Sequence, residues 1–141
     1  MSAQSLELSI IIVSYNTRNM LRDCLHSVIN TTQDIETEIA VVDNDSADGS
    51  AEMVADEFPE VQLIANNTNL GFAAATNPAM ARACGEVLLM LNPDTEVQPG
   101  ALEHLVSFVR SHPWMGAVGP RIVGPAGEIE ASPRLPGVHN A

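Results

Sequence analysis

Lysine is absent from this chain: all six basic residues are arginines, Arg18, Arg22, Arg82, Arg110, Arg121 and Arg134. No side-chain amine is available for a Schiff base or for the phosphate-binding lysine of a P-loop. Cysteine is nearly absent too. Cys24 and Cys84 form no CxxC or metal-spaced pattern and sit among apolar residues at helical spacing, which reads as two buried, reduced thiols. No apolar run approaches the roughly 18 residues that span a bilayer. Met1–Glu7 lacks a basic stretch leading into an apolar one, so no secretory leader is expected and the setting reads as cytoplasmic. Basic charge is scarce against 18 acidic residues, and the net charge of −12 argues against nucleic acid or an anionic membrane surface as partner. A GxGxxG after the first strand is also missing, which disfavours a dehydrogenase-type dinucleotide site.

What is present suits one compact domain, 1–141, with 45% hydrophobic residues to build a core. Leu8–Val13 is a β-branched run ending in Ser14-Tyr15-Asn16, followed by a helical stripe (Met20, Leu21, Cys24, Leu25, Val28, Ile29) with Thr17 as candidate N-cap. Glu38–Val42 forms a second strand, Met53, Val54 and Phe58 mark a short helix, and Val61–Ile64 forms a third strand. An Ala-rich helix over 72–83 is expected to break or kink at Pro78. Val87-Leu88-Leu89-Met90-Leu91 is the most hydrophobic run and predicts a fully buried strand. A helix follows Pro99-Gly100, then short extended pieces over 115–118 and 121–123, with 124–141 as loop or extended tail. Strands alternating with helices imply an α/β fold with a doubly wound, mostly parallel sheet and helices on both faces.

Three polar clusters then fall at strand carboxyl ends: Ser14-Tyr15-Asn16, Asp43-Asn44-Asp45 and Asn92-Pro93-Asp94. In such sheets these ends line one edge, where ligands collect. An acidic residue after the second strand suits a sugar hydroxyl or base donor of a nucleotide, although Asp43 is equally suited to a turn or helix cap. Asp94, two residues after Asn92 and free of basic neighbours, suits a hard divalent cation and, through it, a diphosphate. The same residues are ordinary turn formers. The histidines, His26, His104, His112 and His139, show no ligand spacing, and no nucleophile–base pattern appears.

Four segments carry a resemblance: Ile10–Asn16, Val41–Ser50, Asn69–Ala75 and Leu91–Thr95. In order and spacing they resemble the donor-binding half of family-two inverting glycosyltransferases, notably the rhamnosyltransferase-like branch, over about Leu8–Arg134. The resemblance implies a GT-A-type, Rossmann-like fold and a nucleotide diphosphate sugar as ligand. It implies donor contacts from Ser14, Tyr15, Asn16, Asp43, Asp45, Asn69, Gly71, Phe72 and Asn77. Mg2+ or Mn2+ would sit at Asp94 and Asn92, in the DxD-like position. Arg82 either approaches the phosphates or lies on a helix surface.

Departures from the family pattern accompany these matches. The first aspartate of the metal motif is Asn92, a neutral ligand, and Pro78 follows Asn77 where a helix would continue. An inverting transfer needs a base for the acceptor hydroxyl. By the resemblance that carboxylate lies beyond Ala141, so no catalytic residue is assigned; Glu96 and Glu128 are weak substitutes. The expectation is a donor-binding domain, completed by a missing C-terminal half or by self-association. A non-catalytic interaction module is the alternative, and an aspartate-clustered receiver domain is disfavoured by the missing lysine.

Overall fold

The computed structural model describes residues 6–130. Its centre is a four-stranded parallel sheet. β1 (Leu8–Ser14) lies between β2 (Thr37–Asn44) and β4 (Val87–Leu91), and β3 (Gln62–Asn66) lies outside β2. β1 reads Leu-Ser-Ile-Ile-Ile-Val-Ser because it is covered on both faces, as central parallel strands are. Ile10, Ile12 and Val41 face α1 (Arg18–Thr31), α2 (Ser50–Glu57) and α4 (Ala101–Ser111), meeting Leu21, Leu25, Val28, Val54, Leu102 and Val106. Ile11 and Val42 face the opposite way, onto Ala75 and Ala79 of α3 (Phe72–Met80). Small alanines let that helix approach closely, and burial at each large position is worth about 2–5 kcal/mol against alanine. Helices therefore lie on both faces, three on one and one on the other. No helix among the described residues is long and apolar enough to cross a membrane.

The expectation of a fully buried β4 is overturned. β4 is a sheet edge, and α3 packs over β1 and β2, away from that edge. Leu89 and Leu91 pack toward α4, while Leu88 and Met90, on the α3 side, are 43% and 54% exposed. Hydrophobicity reported the strand correctly and its surroundings wrongly.

Three smaller differences follow from local geometry. α3 runs through Pro78 and ends at Met80, three residues short of the expected Ala83. Cys84 stands in the turn after it and is exposed, not buried. Cys24 is buried as expected; burial pushes its thiol up to about 11, which leaves it an inert apolar group. Residues 124–130, read as loop or extended tail, make a tight turn and the return strand β6 (Ile129–Glu130) of a two-residue ribbon with β5 (Ile122–Val123). Arg134 and His139 lie outside the described residues.

The amino ends of the strands are tied by a polar latch. Glu38 accepts hydrogen bonds from the Cys84 N–H at 2.6 Å and from the Ser9 hydroxyl, and Ser9 Oγ accepts the Gly85 N–H at 2.8 Å. Burial pushes the Glu38 carboxyl up, but these bonds outweigh it and hold the group below the usual carboxylate range. A folded value below the unfolded one means stabilisation present above the unfolded pKa and lost as pH falls through the folded pKa. Glu38→Gln is therefore expected to be less stable than the parent at neutral pH, with the gap closing below about pH 4. Urea unfolding at the two pH values checks this; a gap that does not change with pH would contradict it.

Candidate nucleotide-sugar site

At the other end of the sheet three strand termini meet. Ser14 closes β1 fully buried, between Asp43 of β2 on one side and, one strand spacing away on the other, Asn92 after β4, so Asp43 and Asn92 lie about 10 Å apart. Ser14 Oγ shares a 2.8 Å hydrogen bond with Thr17 Oγ1. Thr17 does occupy the N-cap position of α1, but its side chain bonds Ser14 and no helix N–H, so the expected cap is not formed. Beyond Ser14, Tyr15 is half-exposed and Asn16 is left-handed at φ 53°. Asp45, in the next loop, is also left-handed at φ 69°. Asn and Asp accept this conformation with little strain. The two loops are cross-bonded: Asn16 N–H donates to Ser46 Oγ at 2.9 Å, and Ala47 N–H donates to Asn16 Oδ1 at 2.8 Å.

Asp43 is 3% exposed. Its Oδ2 accepts the Ser46 N–H at 3.0 Å, whereas its buried Oδ1 has no hydrogen-bond partner. Such an orphan acceptor costs about 1–3 kcal/mol and needs an explanation. A donor group on a ligand is one.

Two organising residues escaped the sequence reading. Asn44 points to the α3 side and is buried, with every hydrogen-bonding position used. Its amide donates to Asn69 Oδ1 at 2.8 Å and Gly71 C=O at 3.4 Å; its oxygen accepts from Asn66 Nδ2 at 3.2 Å and Leu70 N–H at 3.0 Å. That holds the Asn69–Gly71 loop, where Gly71 has φ 77°, against the end of β2. Asp48 is the second: it accepts from Arg18 N–H of α1 and from Ser50 of α2. In sequence both fall in the Val41–Ser50 segment, and Asn44 in the carboxyl-end cluster, but neither position reveals its partners.

Asn92–Thr95 is a turn, with Thr95 N–H and hydroxyl donating to the Asn92 C=O at 3.3 and 2.7 Å and the Cys24 thiol beneath it at 3.7 Å. Pro93 holds the second turn position, as Pro prefers. The turn reading and the ligand reading are thus compatible: the turn leaves Asn92 and Asp94 exposed at the edge.

The structure brings Ser14, Tyr15, Asn16, Asp43, Asp45, Asn69, Gly71, Phe72, Asn92 and Asp94 to one edge. Asn77 lies about 7.5 Å further down α3, exposed. Arg82 is at the opposite end of the sheet, lining a cavity of about 10 Å³ with Ser9 and Glu38, so it does not face this edge. A larger recess, about 420 Å³ between Asp34, Val106 and Arg110, is also elsewhere. Glu128 is occupied by its own turn, accepting the Ala126 N–H at 3.0 Å.

One carboxylate and one amide oxygen, Asp94 and Asn92, fit a hard cation only when other oxygens complete its shell. Among the described residues no group of three or more His, Cys, Asp or Glu is placed to hold a metal ion. The donor set suits a cation shared with phosphate oxygens, not a closed protein cage.

Comparison with known proteins decides the family, because the model described as glycosyl transferase family 2 matches residues 9–136. The chain belongs to that family. It is similar to the N-acetylglucosaminyl-diphospho-decaprenol L-rhamnosyltransferase of Mycobacterium tuberculosis, 28% identical over 139 residues, covering 90% of this chain and 45% of that one. It is also similar to a dolichol-phosphate mannosyltransferase of Pyrococcus furiosus, 28% identical over 91% of this chain and 36% of the relative. The family-2 chain thus spans less than half the length of these curated relatives. Among solved structures, S. aureus TarS 1-349 in complex with UDP superposes with a TM-score of 0.67 at 26% identity, over 76% of this chain and 33% of that one. The mannosyltransferase PcManGT from Pyrobaculum calidifontis, in complex with GDP-Man and Mn2+, gives 0.62 at 25% identity, over 77% and 32%. The GT-A-like expectation for the fold is borne out.

Proposed function

We propose that this family-2 domain binds a nucleotide diphosphate sugar at the carboxyl edge, as the donor half of an inverting glycosyltransferase acting on a glycan or lipid-linked acceptor. The observation that carries it is the buried, partnerless Oδ1 of Asp43, a preformed acceptor for a nucleoside hydroxyl or base N–H. Tyr15, Asn16 and Asp45 border that acceptor, and the Asn69–Gly71 loop forms the far wall. Asp94 and Asn92 would hold Mg2+ or Mn2+ next to the diphosphate. The cation, when bound, stabilises negative charge on the leaving nucleoside diphosphate. The chain's own residues would bind and orient the donor, and none of them is assigned as the acceptor's base. The lipid-linked substrates in the names of the similar transferases support the acceptor class, and the Mn2+ and UDP complexes of the similar structures support the ligands. A cytoplasmic setting belongs to the same proposal, since the donor is a soluble nucleotide.

Titration calorimetry with UDP, GDP and dTDP, with and without Mn2+, tests this. Binding of at least one nucleotide is expected, at least tenfold tighter with Mn2+, and Asp94→Ala is expected to remove that difference. Absence of binding to all three under both conditions would refute the reading.

The open face of β4 supports a second reading, association through Leu88 and Met90, because paired exposed apolar residues on a sheet edge attract partners. Light scattering is expected to show concentration-dependent dimers that Met90→Lys abolishes. A monomer at millimolar concentration would contradict it.

A further inference from the structure

We infer that Asp48 is a built-in anion that closes the N-termini of α1 and α2 to ligand phosphate, leaving the donor diphosphate to depend on a cation elsewhere on the edge. The inference deepens the donor-binding reading and rests on it. Helix N-termini present unpaired N–H groups and positive potential, and in doubly wound sheets the one after the first strand commonly takes the phosphate. Here α1 starts at that place with no acidic residue in its own first turn, and the Thr17 hydroxyl is turned away to Ser14. The terminus is nonetheless filled. Asp48 reaches it from 30 residues downstream in the chain, and its Oδ2 accepts the Arg18 N–H at 2.9 Å. Its Oδ1 accepts both the Ser50 N–H at 3.1 Å and the Ser50 hydroxyl at 2.5 Å, at the start of α2.

One carboxylate thus occupies two helix termini with both oxygens. Left-handed Gly49, φ 81°, lets the chain turn sharply enough for residues 48 and 50 to meet in this way. Burial pushes the Asp48 carboxyl up, but the bonds from Ser50 and Arg18 prevail and hold it below its usual range, so it stays ionised through neutral pH. A diphosphate brought to either terminus meets a fixed negative charge, and the first N–H of each helix is already taken. The Arg18 guanidinium lies over Gly49 but forms no ion pair among the described residues. What remains for the diphosphate is the side of the edge near Asp94, also negative. Asp94 and Asn92 would there hold a divalent cation whose charge offsets that of the diphosphate.

The test uses the 141-residue chain and two probes. In 1H–15N spectra, inorganic pyrophosphate without metal is expected to leave the Arg18 and Ser50 amide signals of the parent unmoved. Asp48→Ala is expected to bring saturable shifts at both amides. For UDP, the ratio of Kd in EDTA to Kd in Mn2+ is expected to shrink at least tenfold in Asp48→Ala. Pyrophosphate-dependent shifts at Arg18 and Ser50 in the parent would overturn the inference. So would a folded Asp48→Ala chain keeping the parent's ratio. Should Asp48→Ala fail to fold, Asp48→Asn removes the charge while keeping an oxygen for Ser50, and the parent spectra decide without any variant. Failure of the parent to bind UDP even with Mn2+ would refute the donor reading, while the metal-free pyrophosphate result still judges Asp48.

Discussion

Gly85→Ala is expected to lower the unfolding midpoint by about 10 °C or more, or to prevent cooperative folding altogether. A Cβ at Gly85 falls 2.5 Å from Ser9 N, 2.6 Å from Ser9 Oγ and 2.7 Å from Leu8 C. These are atoms of β1, the strand bonded to β2 and β4 on its two sides, so they cannot retreat without breaking the sheet. Overpacking against side chains costs about 1–3 kcal/mol. Backbone that cannot yield puts this change at or above the upper figure, about 10 °C for a domain of this size. The same substitution displaces the Gly85 N–H from Ser9 and undoes the latch on Glu38. Thermal unfolding followed by circular dichroism measures it, and a midpoint within about 2 °C of the parent would show the contact to be relieved cheaply.

Asp43→Asn is expected to leave the fold intact and weaken nucleotide binding by about tenfold to a hundredfold. The amide oxygen still accepts the Ser46 N–H, so the loop keeps its anchor. The partnerless Oδ1 position becomes an N–H2 donor, and a donor on the ligand then faces a donor on the protein. Hydrogen bonds to a charged group are worth about 1.5–3 kcal/mol, and each 1.4 kcal/mol is tenfold in affinity. Calorimetric Kd values beside matched unfolding curves separate the two effects. Unchanged affinity in a folded variant would remove Asp43 from the site.

Much of this was legible before any coordinates. Val87–Leu91 matches its predicted bounds, and Leu8–Ser14 misses by one residue, because β-branched and apolar runs between polar turns allow little else. The carboxyl-edge cluster followed from topology alone, since parallel strands bring Ser14, Asp43 and Asn92 to one side. Burial of β4 was not legible: Leu88 and Met90 are as hydrophobic as Leu89 and Leu91, and sequence does not say which face is covered. Nor were the roles of Asn44 and Asp48, whose long-range partners Asn66 and Arg18 lie 22 and 30 residues away and depend on the folded arrangement. Pro78 does not break α3, because the helix is packed through Ala75 and Ala79 and that burial outweighs one lost backbone hydrogen bond.

The central claim is that donor nucleotide and cation meet at the carboxyl edge of the sheet. Mn2+ is paramagnetic and broadens amide signals near it, so 1H–15N spectra with substoichiometric Mn2+ and saturating UDP locate the pair directly. Selective broadening is expected at Asn92, Asp94 and Thr95 and in the 14–16 and 43–46 segments, with Glu38 and Gly85 at the opposite end unaffected. Broadening centred on the amino end, or spread evenly over the acidic surface, would contradict the account.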